Sequence, residues 1–251
     1  MIKLSVVIIT LNEERNILRC INSAKPIADE IVVVDSFSTD RTVEICRAAG
    51  AKIIQNVFVG HIEQKNFALG HTSFNHVLSL DADEALSDEL LQSIRELKEK
   101  WEKDCYYINR LTNYCGKWIR HGGWYPDRKL RLFTKEKAKW GGENPHDILL
   151  PLNNASAGKL KGDLLHYSFY SISEHVTQIN KFTDIAAKGA FNSGKKVSVL
   201  QIILRSCFKF IRDYILLLGF LDGYYGYVIC RLSASATFLK YIKLRQLHKP
   251  N

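Results

Sequence analysis

Proline is scarce in this chain, with 5 among 251 residues, and the 15 glycines follow no repeat. With 46% hydrophobic and 24% charged residues, that excludes a collagenous or disordered chain and implies a globular one. The six cysteines, at positions 20, 46, 105, 115, 207 and 230, include no Cys-x-x-Cys pair. Their scatter excludes a disulfide-stapled miniprotein and predicts free thiols in a reducing cytoplasm. No basic stretch precedes the first apolar run and no small-residue cleavage site follows it. Residues 4–10 therefore read as a core strand rather than a signal peptide. Long apolar runs are also missing from the C-terminal quarter. Its runs between charges, 197–204 and 214–221, are 8 residues each, well short of the roughly 20 that cross a bilayer.

What is present is an uneven charge. The formal net charge is +9, yet residues 1–185 hold 24 Lys+Arg against 24 Asp+Glu. Residues 186–251 hold 11 basic residues against only Asp213 and Asp222, so the whole excess lies there. Nucleic-acid binding is not expected, because no recognition motif accompanies the charge and large apolar residues surround it.

Patterning divides the chain. Continuous β-branched runs at 4–10, 30–35, 51–54 and 76–80 alternate with helical spacing at 13–23, 40–49 and 61–69, and after Ser87 with a stripe of Leu90, Leu91, Ile94 and Leu97. Thr39-Asp40 and Ser87 are the predicted caps of two of these helices. That order predicts an open, mostly parallel α/β sheet with helices on both faces. From Cys105 to about 165, short aromatic-rich runs separated by Gly122-Gly123 and Gly141-Gly142 predict antiparallel strands and loops, and 171–191 predicts a helix.

In such a sheet, ligands bind beyond the carboxyl ends of the strands. The polar residues there are Thr10, Asn12 and Glu13, then the stretch from Asp35 to Asp40, then Asp81, Asp83 and Glu84. Ser38, Thr39 and Asp40 are equally well explained as caps and turn formers. Asp35, Asp81 and Asp83 are not, because converging carboxylates repel unless a cation or ligand donors offset them. Hard oxygen ligands point to Mg²⁺ or Mn²⁺ shared with substrate phosphates. Neither GxGxxG nor GxxxxGK[ST] occurs, which argues against nicotinamide oxidoreductases and P-loop NTPases.

TLNEE at 10–14, VDSFSTD at 34–40 and DADE at 81–84, in this order at successive strand ends, resemble the family 2 glycosyltransferases of GT-A fold. The phrases GGWYPDRKLRLF at 122–133, LLHYSF at 164–169 and LGFLDGYYG at 218–226 are similar to the bacterial lipopolysaccharide-core glucosyltransferases of that family. The resemblance implies a GT-A (Rossmann-like) catalytic domain over 1–191, its halves 1–104 for the nucleotide and 105–191 for the acceptor. Residues 192–251 follow as C-terminal amphipathic helices.

It further implies a role for each matching residue. Asp83 holds the divalent cation, with Asp81 near metal and ribose and His166 as a further ligand or else a structural histidine. Asp35 reads the nucleobase edge in a pocket lined by Thr10, Asn12 and Glu13. Lys65 and Asn66 reach the diphosphate or donor sugar, though a solvated Lys65 is nearly as good an account. Inversion at the anomeric carbon needs a base for the acceptor hydroxyl. The resemblance places it at Asp147 of His146-Asp147, with Glu143 as competitor and a turn role for Asp147 as the plain alternative.

Residues 110–139 carry 9 Lys+Arg against Asp127 and Glu136. Arg128 and Arg131 are candidate contacts for donor diphosphate or a phosphorylated acceptor, and Trp124 is a candidate face for a sugar ring. In the tail, Arg205, Lys209 and Arg212 share one helical face opposite a broad apolar one. Such a helix lies in an anionic membrane surface, or else packs on protein or a second subunit. The implied activity is transfer of a hexose, glucose from UDP-glucose, to a lipid-linked saccharide at the cytoplasmic membrane face. The competing readings are transfer to a polyprenyl phosphate and a catalytically silent membrane-surface module.

Overall fold

A strand that is apolar at every position must be covered on both faces. The computed structural model describes residues 1–143 and 146–248, with Glu143 and His146 described at the backbone alone. Its first part runs β1 (Leu4–Thr10), α1 (Ile17–Ala24), β2 (Glu30–Asp35), α2 (Thr42–Ala48), β3 (Lys52–Gln55), α3 (His61–Gly70), β4 (His76–Asp81), β5 (Glu84–Leu86) and α4 (Asp88–Glu99). Then come β6 (Cys105–Tyr114), β7 (Lys117–Ile119), β8 (Asp127–Thr134), β9 (Ala138–Glu143), β10 (His146–Pro151) and β11 (Ala157–Phe169). The helices α5 (Ile172–Asn192), α6 (Val199–Ile211) and α7 (Gly223–Leu247) complete it.

The main sheet has the order β3-β2-β1-β4-β8-β6-β11-β5, with β7 beside β6. The four strands β3, β2, β1 and β4 are parallel, and β8 joins β4 antiparallel. Both sequence patterns are thus realised, one in each half of a single mixed sheet. Alternation along β1 sends Leu4, Val6 and Ile8 to a core shared with α1 and α4, while Val7 faces the other side, toward Ala68 and Leu69 of α3. The helices therefore cover both faces. β9 and β10 form a separate two-stranded sheet that packs on α3.

Two local expectations shift. α1 begins at Ile17, because Glu13 closes a turn in which its carbonyl accepts from the amides of Asn16 and Ile17. Thr39-Asp40 do not cap α2, whose N-cap position is Arg41. The Asp40 carboxylate instead accepts from Thr42 N and Oγ1 and from Glu14 N, tying two loops together. Ser87 does cap α4, accepting from Leu90 N.

The chain divides into two compact units, residues 1–110 with 127–167, and residues 111–126 with 168–251. α5 belongs with the tail, since it packs along α7 and its Ala187 and Ala190 share a core with Leu244. Ser171 starts α5 with a capping box to Glu174. The second unit centres on a ring cluster of Tyr114, Trp124, Phe169, His175 and Tyr225. Within it Tyr114 and His175 are hydrogen-bonded at 3.0 Å, and burial pushes the His175 imidazole down to about 4. All six cysteines are free thiols, as their spacing predicts.

One glycine is dictated by close approach. Gly162 on β11 has φ +84°, and a Cβ there would lie 2.3 Å from Leu90 N, where α4 starts. The neighbouring backbone is bound in the same place, with Asp163 N donating to Ser87 Oγ at 3.0 Å. Gly162→Ala is expected to destabilise the protein by about 3 kcal/mol, from left-handed strain plus displacement of the helix start. Chemical denaturation followed by circular dichroism measures this, and an unchanged midpoint would contradict the packing.

Candidate active site

The carboxyl ends of β1 and β2 lead into two loops that are stitched to each other. Asn12 N donates to Ser38 Oγ at 2.9 Å, Thr39 N to Asn12 Oδ1 at 2.8 Å, and Glu13 N to Thr42 Oγ1 at 2.8 Å. The short polar side chains in TLNEE and VDSFSTD thus build one rim, and Asn12 and Phe37 take left-handed φ values of 55° and 62° to do so. Asp35 is fully buried and accepts from Ser38 N at 3.0 Å and Ser38 Oγ at 2.5 Å. Its carboxylate fixes the loop that carries the exposed Phe37 ring, a residue the sequence pattern did not single out. Thr10 is buried below, and its hydroxyl has no partner among the described residues.

The end of β4 supplies the acidic cluster. Asp81 faces two cations, with Lys65 Nζ 2.8 Å from Oδ1 and Arg131 Nη2 2.6 Å from Oδ2. Burial alone raises its carboxyl, but Arg131 and Lys65 outweigh that and hold it well below the usual range. Asp81 thus anchors an ion network, with both its oxygens engaged by cations. Asp83 differs. Its Oδ2 lies 3.2 Å from His166 Nε2, brought there by the pairing of β11 with β5. Glu13 completes this end. Burial raises its carboxyl, a hydrogen bond from Asn16 opposes that, and the nearby Asp83, Asp40 and Asp81 raise it further.

Residues far apart in the chain meet at Lys65, which is 3% exposed. Its ammonium lies 2.7 Å from Asp147 Oδ2 and 4.3 Å from the Trp140 ring centre, besides its contact with Asp81. Such desolvation is tolerable for a lysine only with close partners, and here two carboxylates and an aromatic face supply them. Arg131, 4% exposed, bridges Asp81 to the fully buried Glu84 at 2.9 Å. Glu84 is raised by burial despite that arginine. Glu84 stands at a strand end in the sequence and Trp140 beside the basic segment, but nothing in one dimension shows that both meet Arg131.

These groups line a cavity of about 640 Å³ that includes Lys65, Asp81, Arg128, Arg131, Trp140 and Asp147. Arg128 is exposed there with no acidic partner among the described residues. Arg131 is a counter-ion to Asp81 and Glu84 in the cavity wall, and its Nε and Nη1 have no hydrogen-bond partner among the described residues. The Asn66 amide brackets the Trp140 backbone, giving to O at 3.0 Å and accepting from N at 3.2 Å. Trp124 is half-buried in the ring cluster of the second unit, 5.9 Å from His175. The competing base, Glu143, lies outside the described side chains.

A divalent cation is compatible with these residues in one place. Asp83 Oδ2 and His166 Nε2 already converge within 3.2 Å, close to acidic groups that burial and mutual repulsion leave under-compensated. Among the described residues no third His, Cys, Asp or Glu completes a protein-only cage. That suits an ion which takes its remaining ligands from substrate phosphate oxygens and water.

The family model for glycosyl transferase family 2 matches residues 5–149. An uncharacterized glycosyltransferase of Rickettsia typhi is 35% identical over 98% of this chain and 87% of its own length. A lipopolysaccharide core biosynthesis glycosyltransferase, LpsC, of Rhizobium meliloti is 29% identical over 98% of this chain and 93% of that one. Among solved structures, glucosyl-3-phosphoglycerate synthase from Mycobacterium tuberculosis with Mn²⁺ and UDP-glucose aligns at 27% identity and a TM-score of 0.37. That alignment covers 45% of this chain and 44% of the other. The family model and relatives that match along almost the whole length agree with the strand-end motifs, and the chain belongs to glycosyl transferase family 2.

Proposed function

We propose that this glycosyltransferase moves a hexose, glucose from UDP-glucose, with inversion onto a lipid-linked saccharide of the lipopolysaccharide-core kind. The observation that carries the reading is the single cavity in which Asp147 and Asp81 stand on either side of Lys65. Asp147 takes the proton of the acceptor hydroxyl, and Lys65 fixes the position of its carboxylate. The rim of residues 10–14 and 36–42 holds the nucleoside, with Glu13 and Asn12 in its wall. Asp83 and His166 hold Mg²⁺ or Mn²⁺, whose chemistry is to neutralise charge on the departing diphosphate. Arg128 meets an anionic group of donor or acceptor in the same cavity. The saccharide acceptor is supported by the full-length likeness to LpsC, a lipopolysaccharide core enzyme by name. The excess of basic residues in the tail supports a peripheral position on the inner face of the cytoplasmic membrane.

Asp147→Asn is expected to lower turnover about 10²- to 10⁴-fold while UDP affinity in the presence of Mn²⁺ stays unchanged. Release of UDP with a saccharide-lipid acceptor measures the first, and titration calorimetry the second. Turnover near wild type would remove Asp147 as base and favour a polyprenyl-phosphate acceptor, whose phosphate attacks without one. Asp83→Asn and His166→Ala are each expected to raise the Mn²⁺ concentration needed for half-maximal activity about tenfold or more. A metal response identical to wild type in both would place the ion elsewhere.

A further inference from the structure

In sequence the apolar run 214–221 is cut short by an acid at each end, but the fold hides those acids. Between Arg212 and Arg231 the only charged residues are Asp213 and Asp222, which are 1% and 4% exposed. Asp213 is bound by Lys209 Nζ and Arg212 Nη2, each at 2.7 Å. Asp222 accepts from the amides of Arg120 at 3.0 Å and His121 at 2.8 Å, and its other oxygen lies 3.1 Å from His121 Nδ1. Across these 18 positions, then, no charged side chain faces outward among the described residues. The apolar side chains do. From Val199 to Tyr224, thirteen large ones are more than two-fifths exposed, Leu200, Phe208, Leu216 and Tyr224 by 60% or more. A surface of that extent demands a partner.

The backbone makes this surface an apex. After α6 the chain passes through one wide turn at Arg212–Leu216 and a tight one at Gly219–Asp222, and the helical arms meet at 69°. Gly219 and Gly226 permit the bend, since a Cβ on Gly226 would lie 2.0 Å from Gly219 O. No single described helix is long and apolar enough to cross a membrane, whereas the bent pair passes that test of length and composition together. Cations lie along the arms. Arg205, Lys209 and Arg212 follow one side of α6 down to the apex, and Lys196, Arg245 and His248 line a cavity at the far end, where α6 begins and α7 ends.

We infer that the apex, residues 213–224, enters the acyl region of one leaflet of an anionic bilayer as a wedge, while α6 lies in the headgroup layer beside it. This deepens the membrane reading above and rests on it. Apolar surface with basic margins and internalised acids fits anionic lipid, because the headgroups neutralise the margin and the acyl chains take the apex. Burying two leucines of the apex stabilises the bound state by enough to shift affinity about tenfold or more.

The full chain, with the exposed Cys207 and half-buried Cys115 replaced by Ser, carries an NBD label at Leu216→Cys, Leu221→Cys or, as control, Gln246→Cys. With vesicles of phosphatidylglycerol and phosphatidylcholine, the two apex labels are expected to shift to the blue and to be quenched by lipids spin-labelled deep in the acyl chain, and the control label is not. Leu216→Asp combined with Leu221→Asp should weaken vesicle binding about tenfold or more and leave UDP binding untouched. Vesicle binding with apex labels still open to aqueous iodide overturns the wedge and leaves a surface-bound tail. Apex labels shielded without vesicles, in a protein that elutes as a dimer, overturn it in favour of a second copy. No vesicle binding at all overturns the wedge and the membrane reading together, while UDP binding still reports the enzymatic one.

Discussion

Lys65 stands almost without solvent between two carboxylates, and the first unit is arranged around keeping it there. An ammonium removed from water is stable only if its partners are held in place. α3 carries the lysine, β4 presents Asp81, β10 presents Asp147, and Trp140 on β9 lies against the ammonium. Arg131 then secures Asp81 from behind and joins it to Glu84, and Asn66 secures Trp140. The ionic network is thus also the joint between the parallel half of the sheet and the small sheet of β9 and β10. It makes the position of the proposed base a consequence of packing. A carboxylate on a two-stranded ribbon would otherwise be as mobile as the ribbon.

The same principle works in the opposite sense in the second unit. There, between Arg212 and Arg231, the charges are acids and both are buried, so what remains outside along that stretch carries no charge. Asp222 shows how this is achieved, since two backbone amides and an imidazole in the 120–121 loop satisfy it. Residues that look in sequence like interruptions of an apolar segment are, in the fold, its internal fastenings. The phrase LGFLDGYYG carries this meaning. Its glycines allow the two turns to touch, and its aspartate fastens them to the loop before β8.

Much of the fold was legible because its signals are local. Continuous β-branched runs gave β1, β2 and β4, helical spacing gave the helices between them, and Ser87 capped as its position requires. The strand-end motifs were legible for the same reason, since short polar side chains that bind neighbouring backbone announce themselves within a few residues. The errors fell where one local signal had two outlets. Thr39-Asp40 is a good cap, but the adjacent TLNEE loop offers Asp40 another partner in Glu14 N.

By itself the sequence determined the alternation of strand and helix, the placement of Thr10, Asn12, Asp35, Asp81 and Asp83 at strand ends, and the charge imbalance of the tail. These depend on contacts between near neighbours or on composition. Only the tertiary structure decided which of these carboxylates meets a cation. Asp81 became an ion-pair anchor because Lys65 and Arg131, 16 and 50 residues away, converge on it, while Asp83 was left facing His166. It likewise decided that Asp213 and Asp222 turn inward, so that the tail's surface is more apolar than its sequence. Charge can be counted along a chain, but its effect depends on distance and solvent, and only the folded chain sets those.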